Sequence, residues 1–224
     1  MKNFKILLAS TSPRRRQMLA WLRPDFTMTS SEIDETPLPG EAPLAYVKRM
    51  ACQKAEKAAN DAAESWVVLA SDTIVELDGK ILGKPEGEAE AWAMLHALRA
   101  RTHHVYTAIA ILQTGTDTMV LDCCIADVPM RAYSDDEITR YIASGDPFDK
   151  AGAYAIQNQE FNPVEQFSGC FACVMGFPLC HVSRQLNQIG LQNTPNPAPI
   201  CLRELSYPCK ISSSVLSFTD HITC

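Results

Sequence analysis

The sequence lacks any apolar stretch approaching the roughly 20 residues of a membrane span, so no membrane association is expected. It also lacks an excess of positive charge: 20 Lys and Arg stand against 26 Asp and Glu, a formal net charge of -6. Sequence-blind binding to nucleic acid draws on a basic surface, so no nucleic-acid polymer is expected as a partner. A single compact polyanion is not excluded, because a local cluster of Lys and Arg can hold one on an acidic protein. The opening apolar run is too short for a secretory h-region. Nine cysteines would suit a disulfide scaffold only in a short secreted chain, and this chain has 224 residues. Reduced thiols and a cytoplasmic location are the expectation. There is no internal repeat of any strength.

What is present is 46% hydrophobic and 21% charged residues, which excludes disorder over the whole length and provides for one large core, alone or with a modest appendage. Phe4 to Ala9 reads as a buried strand. Arg14 to Leu22 reads as a helix, begun by Ser or Thr as N-cap and by Pro13 at the first helical position. Ser30 to Pro43 is loop-like, and Leu44 to Ala63 is a long helix with Tyr46, Val47, Met50, Ala51 and Ala55 at helical intervals. Trp66 to Ala70 reads as a short strand ending at Ser71-Asp72-Thr73. Ile74–Leu77 and Lys80–Leu82 flank the hairpin signal Asp78-Gly79. Glu88 to Ala100 is helical, His104–Gln113 and Thr118–Ala132 are two strands joined at Thr114-Gly115-Thr116-Asp117, and Asp135 to Ser144 is a helix. Strand-like pieces follow up to Val174, and Pro178 to Ile189 is a closing helix. The mixture predicts an α/β fold with a mixed sheet. From Leu191 the composition changes, and Asn193 to Pro199 is linker-like. The reading is a main domain over residues 1–189 and an appendage, rich in Pro, Cys and Ser, over 190–224.

Five pieces have the composition for chemistry. Ser10-Thr11-Ser12-Pro13-Arg14-Arg15 joins a strand to a helix N-terminus, where free backbone N–H groups and a partial positive charge attract anions. Ser10 and Ser12 can add donors, and Arg14 and Arg15 can fork onto phosphate oxygens. The alternative is an ordinary helix start with solvated arginines. Asp72 at a strand mouth can bind a divalent cation or take a proton from water, or simply form a turn. The acidic loop Glu32-Ile33-Asp34-Glu35 can supply further oxygen ligands or be a solvated loop. Lys84, between Gly83 and Pro85, sits on a turned backbone able to point into a cleft. Asp149-Lys150 opens a segment of small residues that ends in the amide of Gln157. Pattern alone does not bring these pieces together.

Together these motifs, Leu8-Ala9-Ser10-Thr11-Ser12-Pro13-Arg14-Arg15, then Asp34-Glu35-Thr36-Pro37, Tyr46-Val47, Lys54-Ala55, Ser71-Asp72-Thr73, Gly83-Lys84-Pro85 and Asp149 to Tyr154, resemble the Maf family in content and order across about residues 4–189. The resemblance implies a Maf-like α/β fold with a nucleotide-binding cleft, and hydrolysis of nucleoside triphosphates to monophosphate and pyrophosphate as house-cleaning of the nucleotide pool. It implies that Asp72 is the general base or a metal-side carboxylate, that Glu35 helps hold Mg²⁺ or Mn²⁺, and that Ser12, Arg14, Lys54 and Lys84 bind phosphates with support from Arg15. Lys150 and Ser10 join this substrate set. Arg14, Thr73 and Gln157 resemble the branch acting on dTTP and UTP, with modified pyrimidine nucleotides also in view. The same chemistry on another nucleotide such as 7-methyl-GTP, and a non-hydrolytic nucleotide-binding regulator, are the alternatives. A homodimer is implied.

The chain departs from the family pattern at Asn158-Gln159, where Gly usually follows the Gln, at Ala108, and at Cys173, where the pattern has Asn. Cys170, Cys173 and Cys180-His181 superficially resemble a metal ligand set, but the second CxxC of a zinc signature is missing. Buried free thiols acting as small apolar residues are the other reading.

Overall fold

β3 (Trp66–Leu77) is buried along almost its whole length and organises the molecule. In the computed structural model, which describes residues 4–62, 65–116, 118–191 and 194–217, β1 (Lys5–Ala9) pairs with it in parallel and β5 (Thr102–Gln113) antiparallel. β2 (Thr27–Thr29) extends the sheet beyond β1, and β6 (Met119–Pro129) beyond β5. The order is β2-β1-β3-β5-β6, with β4 (Lys80–Leu82) pairing the far end of β3. This is the mixed sheet the sequence predicts.

Alternation along β3 sends Val67 and Leu69 to one face and Val68 and Ala70 to the other. On the first face they meet α1 (Pro13–Leu22) through Met18, Leu19 and Leu22, and α6 (Leu179–Gln188) through Leu179, Val182 and Leu186. On the second they meet α2 (Pro43–Asn60) through Val47, Met50, Ala51 and Ala55. Within the hairpin, Val75 and Leu77 pack with α3 (Glu88–Leu98) and α4 (Asp135–Ala143). The hairpin turn has Asp78 and Gly79 both at positive φ, the geometry that its dipeptide signals. α4 begins with a capping box between Ser134 and Glu137.

Two expectations are corrected. Asp72 does not end a strand: Ser71, Asp72 and Thr73 continue the ladder opposite Ile109, Ala108 and Thr107. Polar side chains are tolerated mid-strand because each finds a partner. Ser71 donates to the Gly176 carbonyl (3.0 Å), Asp72 accepts from Lys54 (2.6 Å), and Thr73 bonds Thr107 (3.0 Å). The strand-like pieces up to Val174 are instead 3-10 turns over Asp146–Asp149 and Ala151–Ala153, an isolated bridge of Met130 with Val164, and a short helix α5 (Phe171–Val174). Positive φ at Gly152, Ala153, Asn162 and Gln166 breaks any extended run there.

The residues that composition sets apart fold onto α6 as α7 (Pro197–Leu205) and α8 (Ser212–Ser217). Leu191, Ile200 and Cys201 are buried in the same cluster as α1 and α6. Arg184 on α6 donates to the Val215 carbonyl (2.8 Å), and the Tyr207 hydroxyl to that of Gly169 (3.0 Å). Cys170 and Cys173 lie in the core as free thiols beside Cys124, and burial pushes the Cys173 thiol up. Among the described residues no three His, Cys, Asp or Glu side chains group as a metal site. Cys123, Cys124, Cys170, Cys173, Cys180, Cys201 and Cys209 are free cysteines. No helix is long and apolar enough to cross a membrane among the described residues. The N-terminal residues 1–3, the helix end expected at Ala63, the turn residue Asp117, Asn193 of the linker-like stretch and residues 218–224 lie outside the described residues.

Candidate active site

Ser12 caps α1, accepting from the Arg15 amide, and Pro13 takes the first helical position. The Ser10 hydroxyl accepts from the Ser12 amide (3.2 Å), which holds the loop between β1 and α1 in a tight bend. This helix start faces a cleft with two connected lobes. One is lined by Ser10, Ser12, Glu35 and Lys54, the other by Thr73, Lys150, Tyr154, Gln157 and Met175. Ser12, Arg14, Arg15, Lys84 and Asp149 line both. The loop, the strand, the hairpin exit and the later segment that pattern alone leaves apart therefore meet here.

In the first lobe Lys54, on α2, lies between two carboxylates: Nζ is 2.7 Å from Glu35 Oε1 and 2.6 Å from Asp72 Oδ1. Asp72 is 8% exposed and meets Lys54 from mid-strand, while Glu35 and Lys54 line the lobe itself. Burial works to raise the Glu35 carboxyl, but its bond to Lys54 and the charges of Lys54, Lys84 and Arg15 hold it below its ordinary value. The Tyr46 hydroxyl donates to the Glu35 carbonyl (2.8 Å) and fixes the acidic loop against α2.

Arg15 turns toward the second lobe, donating from Nε to the Gly176 carbonyl (3.0 Å) and from Nη2 to Thr73 Oγ1 (3.1 Å). Burial pulls its guanidinium below the ordinary arginine value, with Asp72 opposing. Thr107 spends its hydroxyl hydrogen on the Cys173 carbonyl (2.8 Å), so Thr73 must donate to Thr107 and accept from Arg15. Thr107 is a member of this relay that sequence reasoning missed. The available signal was the single threonine within the apolar strand Val105–Leu112, directly opposite Thr73 once the antiparallel pairing of β3 and β5 is drawn.

Arg14 pairs with Asp149 (3.2 Å) at the junction of the lobes. Lys150 is largely buried, and its ammonium is engaged by the carboxylates of Asp146 and Asp149 and by the Asp146 carbonyl. Gln157 is exposed on a turn at the end of the second lobe. Gly152 makes the close approach that holds this segment on the sheet. It sits at φ 69°, donates to the Gly83 carbonyl (3.0 Å), and a Cβ there would meet Val75 Cγ1 at 3.0 Å. Gly152→Ala is expected to cost roughly 2 kcal/mol through left-handed strain and overpacking, visible as a lower urea midpoint; an unchanged midpoint contradicts the assigned strain.

The residues fit a divalent cation. Glu35 and Asp72 present oxygens to one point, and the ammonium already there shows that the point favours positive charge. Mg²⁺ is commonly held by one or two carboxylates, with substrate phosphates and water completing its shell. Fold and cleft define an α/β protein equipped for a polyphosphate: cationic side chains and a helix N-terminus line the cleft, and paired carboxylates hold one of its lysines.

Residues 5–189 match the family described as Maf-like protein, and the chain belongs to the Maf family. A dTTP/UTP pyrophosphatase of Geobacter sulfurreducens is 40% identical over 190 residues, covering 85% of this chain and 99% of that one. Another, of Citrifermentans bemidjiense, is 43% identical over 190 residues, with 85% and 98% covered. A third, of Myxococcus xanthus, is 45% identical over 186 residues, with 83% and 93% covered.

Proposed function

We propose that this chain hydrolyses dTTP and UTP to the monophosphate and pyrophosphate. The observation that carries the reading is Lys54, held between Glu35 and Asp72, in a cleft also lined by the α1 N-terminus, Arg14, Arg15 and Lys84. The similarity to dTTP/UTP pyrophosphatases over nearly their full length supports it.

The triphosphate lies in the first lobe, where Ser12, the free amides of α1, Arg14, Lys54 and Lys84 neutralise its oxygens. Water attacks the α-phosphorus, the bond to the bridging oxygen breaks, and pyrophosphate departs carrying the negative charge of that oxygen. Asp72 accepts the proton from the attacking water. Glu35 and Asp72 would hold a divalent cation, Mg²⁺ or Mn²⁺, which supplies charge neutralisation at the phosphates and a more acidic water when bound. The base extends into the second lobe toward Gln157, whose amide offers both a donor and an acceptor to a pyrimidine edge.

The test is pyrophosphate release from dTTP, UTP, CTP, 7-methyl-GTP, 5-methyl-UTP and pseudo-UTP with Mg²⁺ or Mn²⁺. Selective release from dTTP and UTP is expected. Release from 7-methyl-GTP alone would reject the base assignment and keep the chemistry. No release from folded protein with metal present would reject hydrolysis itself.

A further inference from the structure

Gln157 stands on an exposed turn outside any helix or strand, yet a base-reading amide must be held in place to discriminate. The next residue supplies the hold. Asn158 Nδ2 donates to Asp146 Oδ2 (3.0 Å), and its Oδ1 accepts from the Phe161 amide (2.8 Å). Its own backbone N–H donates to the Ala155 carbonyl (3.1 Å), and its carbonyl accepts from the Asn162 amide (2.9 Å). One side chain therefore ties the turn both to Asp146 and to the Phe161 amide that follows it. Packing reinforces this: the Phe161 ring stacks on Tyr141 at 4.2 Å, and the Tyr141 hydroxyl donates to Asp146 (2.7 Å) while accepting from the Ala155 amide (3.0 Å).

Asp146 is in turn bonded to Lys150, Lys150 to Asp149, and Asp149 to Arg14. A continuous polar chain, Arg14–Asp149–Lys150–Asp146–Asn158, thus runs from the helix that grips phosphate to the turn that carries Gln157. Where the family pattern has Gly after the Gln, no side chain is available to close this chain.

We propose that Asn158 is a positioning residue that fixes Gln157 against the base by clamping its turn to Asp146, and so sets base selectivity. The inference rests on the reading of Gln157 as base-facing. A freed turn still samples the productive geometry, so the loss falls on binding of the base and not on the reaction at phosphorus. Asn158→Ala raises KM for dTTP about tenfold, leaves kcat within about twofold, and narrows the preference for dTTP over dCTP about tenfold.

The experiment is a double-mutant cycle of Asn158→Ala and Gln157→Ala, reading kcat and KM for dTTP and dCTP by pyrophosphate release. Asn158→Ala is expected to add less than twofold to the loss of preference in the Gln157→Ala background. A full preference retained by Asn158→Ala, or an equal loss with Gln157 already removed, overturns the proposal while leaving the base-facing reading intact. An unaltered preference in Gln157→Ala alone overturns both. Should the alanine variant not fold, Asn158→Asp enters the same cycle. It keeps the acceptor for Phe161 but places a carboxylate against Asp146, and it is held to the same outcomes.

Discussion

Asp72→Asn is expected to lower turnover about a thousandfold while nucleotide affinity stays within about tenfold. A positioned general base typically contributes 10²–10⁴ in rate, and an amide oxygen does not accept a proton at neutral pH. Affinity survives because the proposed phosphate grip is elsewhere: Arg14, Lys84 and the α1 N-terminus belong to other elements. Lys54 keeps its contact with Glu35, and an asparagine oxygen can still accept from it. A tenfold change in affinity is about 1.4 kcal/mol, so the two effects separate cleanly. Single-turnover pyrophosphate release and equilibrium titration with dTTP read them independently. Undiminished turnover would remove Asp72 from the role of base. Equal collapse of affinity would make it a binding residue.

The second large effect concerns stability. Asp122, on β6, is 5% exposed, and its Oδ2 accepts from His181 Nδ1 (3.0 Å), Gln185 Nε2 (3.1 Å) and the Arg184 guanidinium. Its Oδ1 accepts from the Cys123 amide (2.8 Å). Burial alone would raise this carboxyl, but His181, Gln185 and Arg184 outweigh it and hold the group well below the usual carboxylate range. Asp122→Ala removes the carboxylate shared by His181, Arg184 and Gln185, and breaking a buried ion pair from one side costs roughly 3–5 kcal/mol. At about 2–4 °C per kcal/mol for a chain of this size, the melting temperature should fall by roughly 6–20 °C. Because the native pKa is depressed, the contribution is complete above the unfolded value of about 3.9 and is lost as pH falls toward the native one. The gap between wild type and Asp122→Asn should therefore narrow as pH is lowered from 7 to below about 4. A gap constant with pH would show that the carboxylate charge is not what stabilises this site.

Most of the fold was legible because its signals are local. Pro13 behind a serine cap, Asp78-Gly79 between apolar runs, and helical spacing from Tyr46 to Ala55 each specify their own element. The region from Gly145 to Val174 was not, because its conformation depends on distant partners. Gly152 is held by Gly83 and Val75, and the Arg131 guanidinium bonds the carbonyls of Asn162 and Phe161. The same distinction applies to the site. The motifs named the groups, and only the sheet shows that Lys54 meets Asp72, that Thr73 is committed to Arg15 and Thr107, and that Lys150 is spent on two aspartates. Ser71-Asp72-Thr73 was misread as a terminus because polar residues inside a strand are rare without tertiary partners, and those partners lie up to 105 positions away.

β3 supplies side chains to all three apolar clusters, and Asp72 sits in its middle. Local opening is graded by how much packing a segment carries, and this strand carries the most interconnected share. The backbone that carries the carboxylate is therefore held by the core, and freeing it would require opening all three clusters. Whatever adjusts when a nucleotide enters must be the surroundings, namely the long cationic side chains, closing around a fixed anvil.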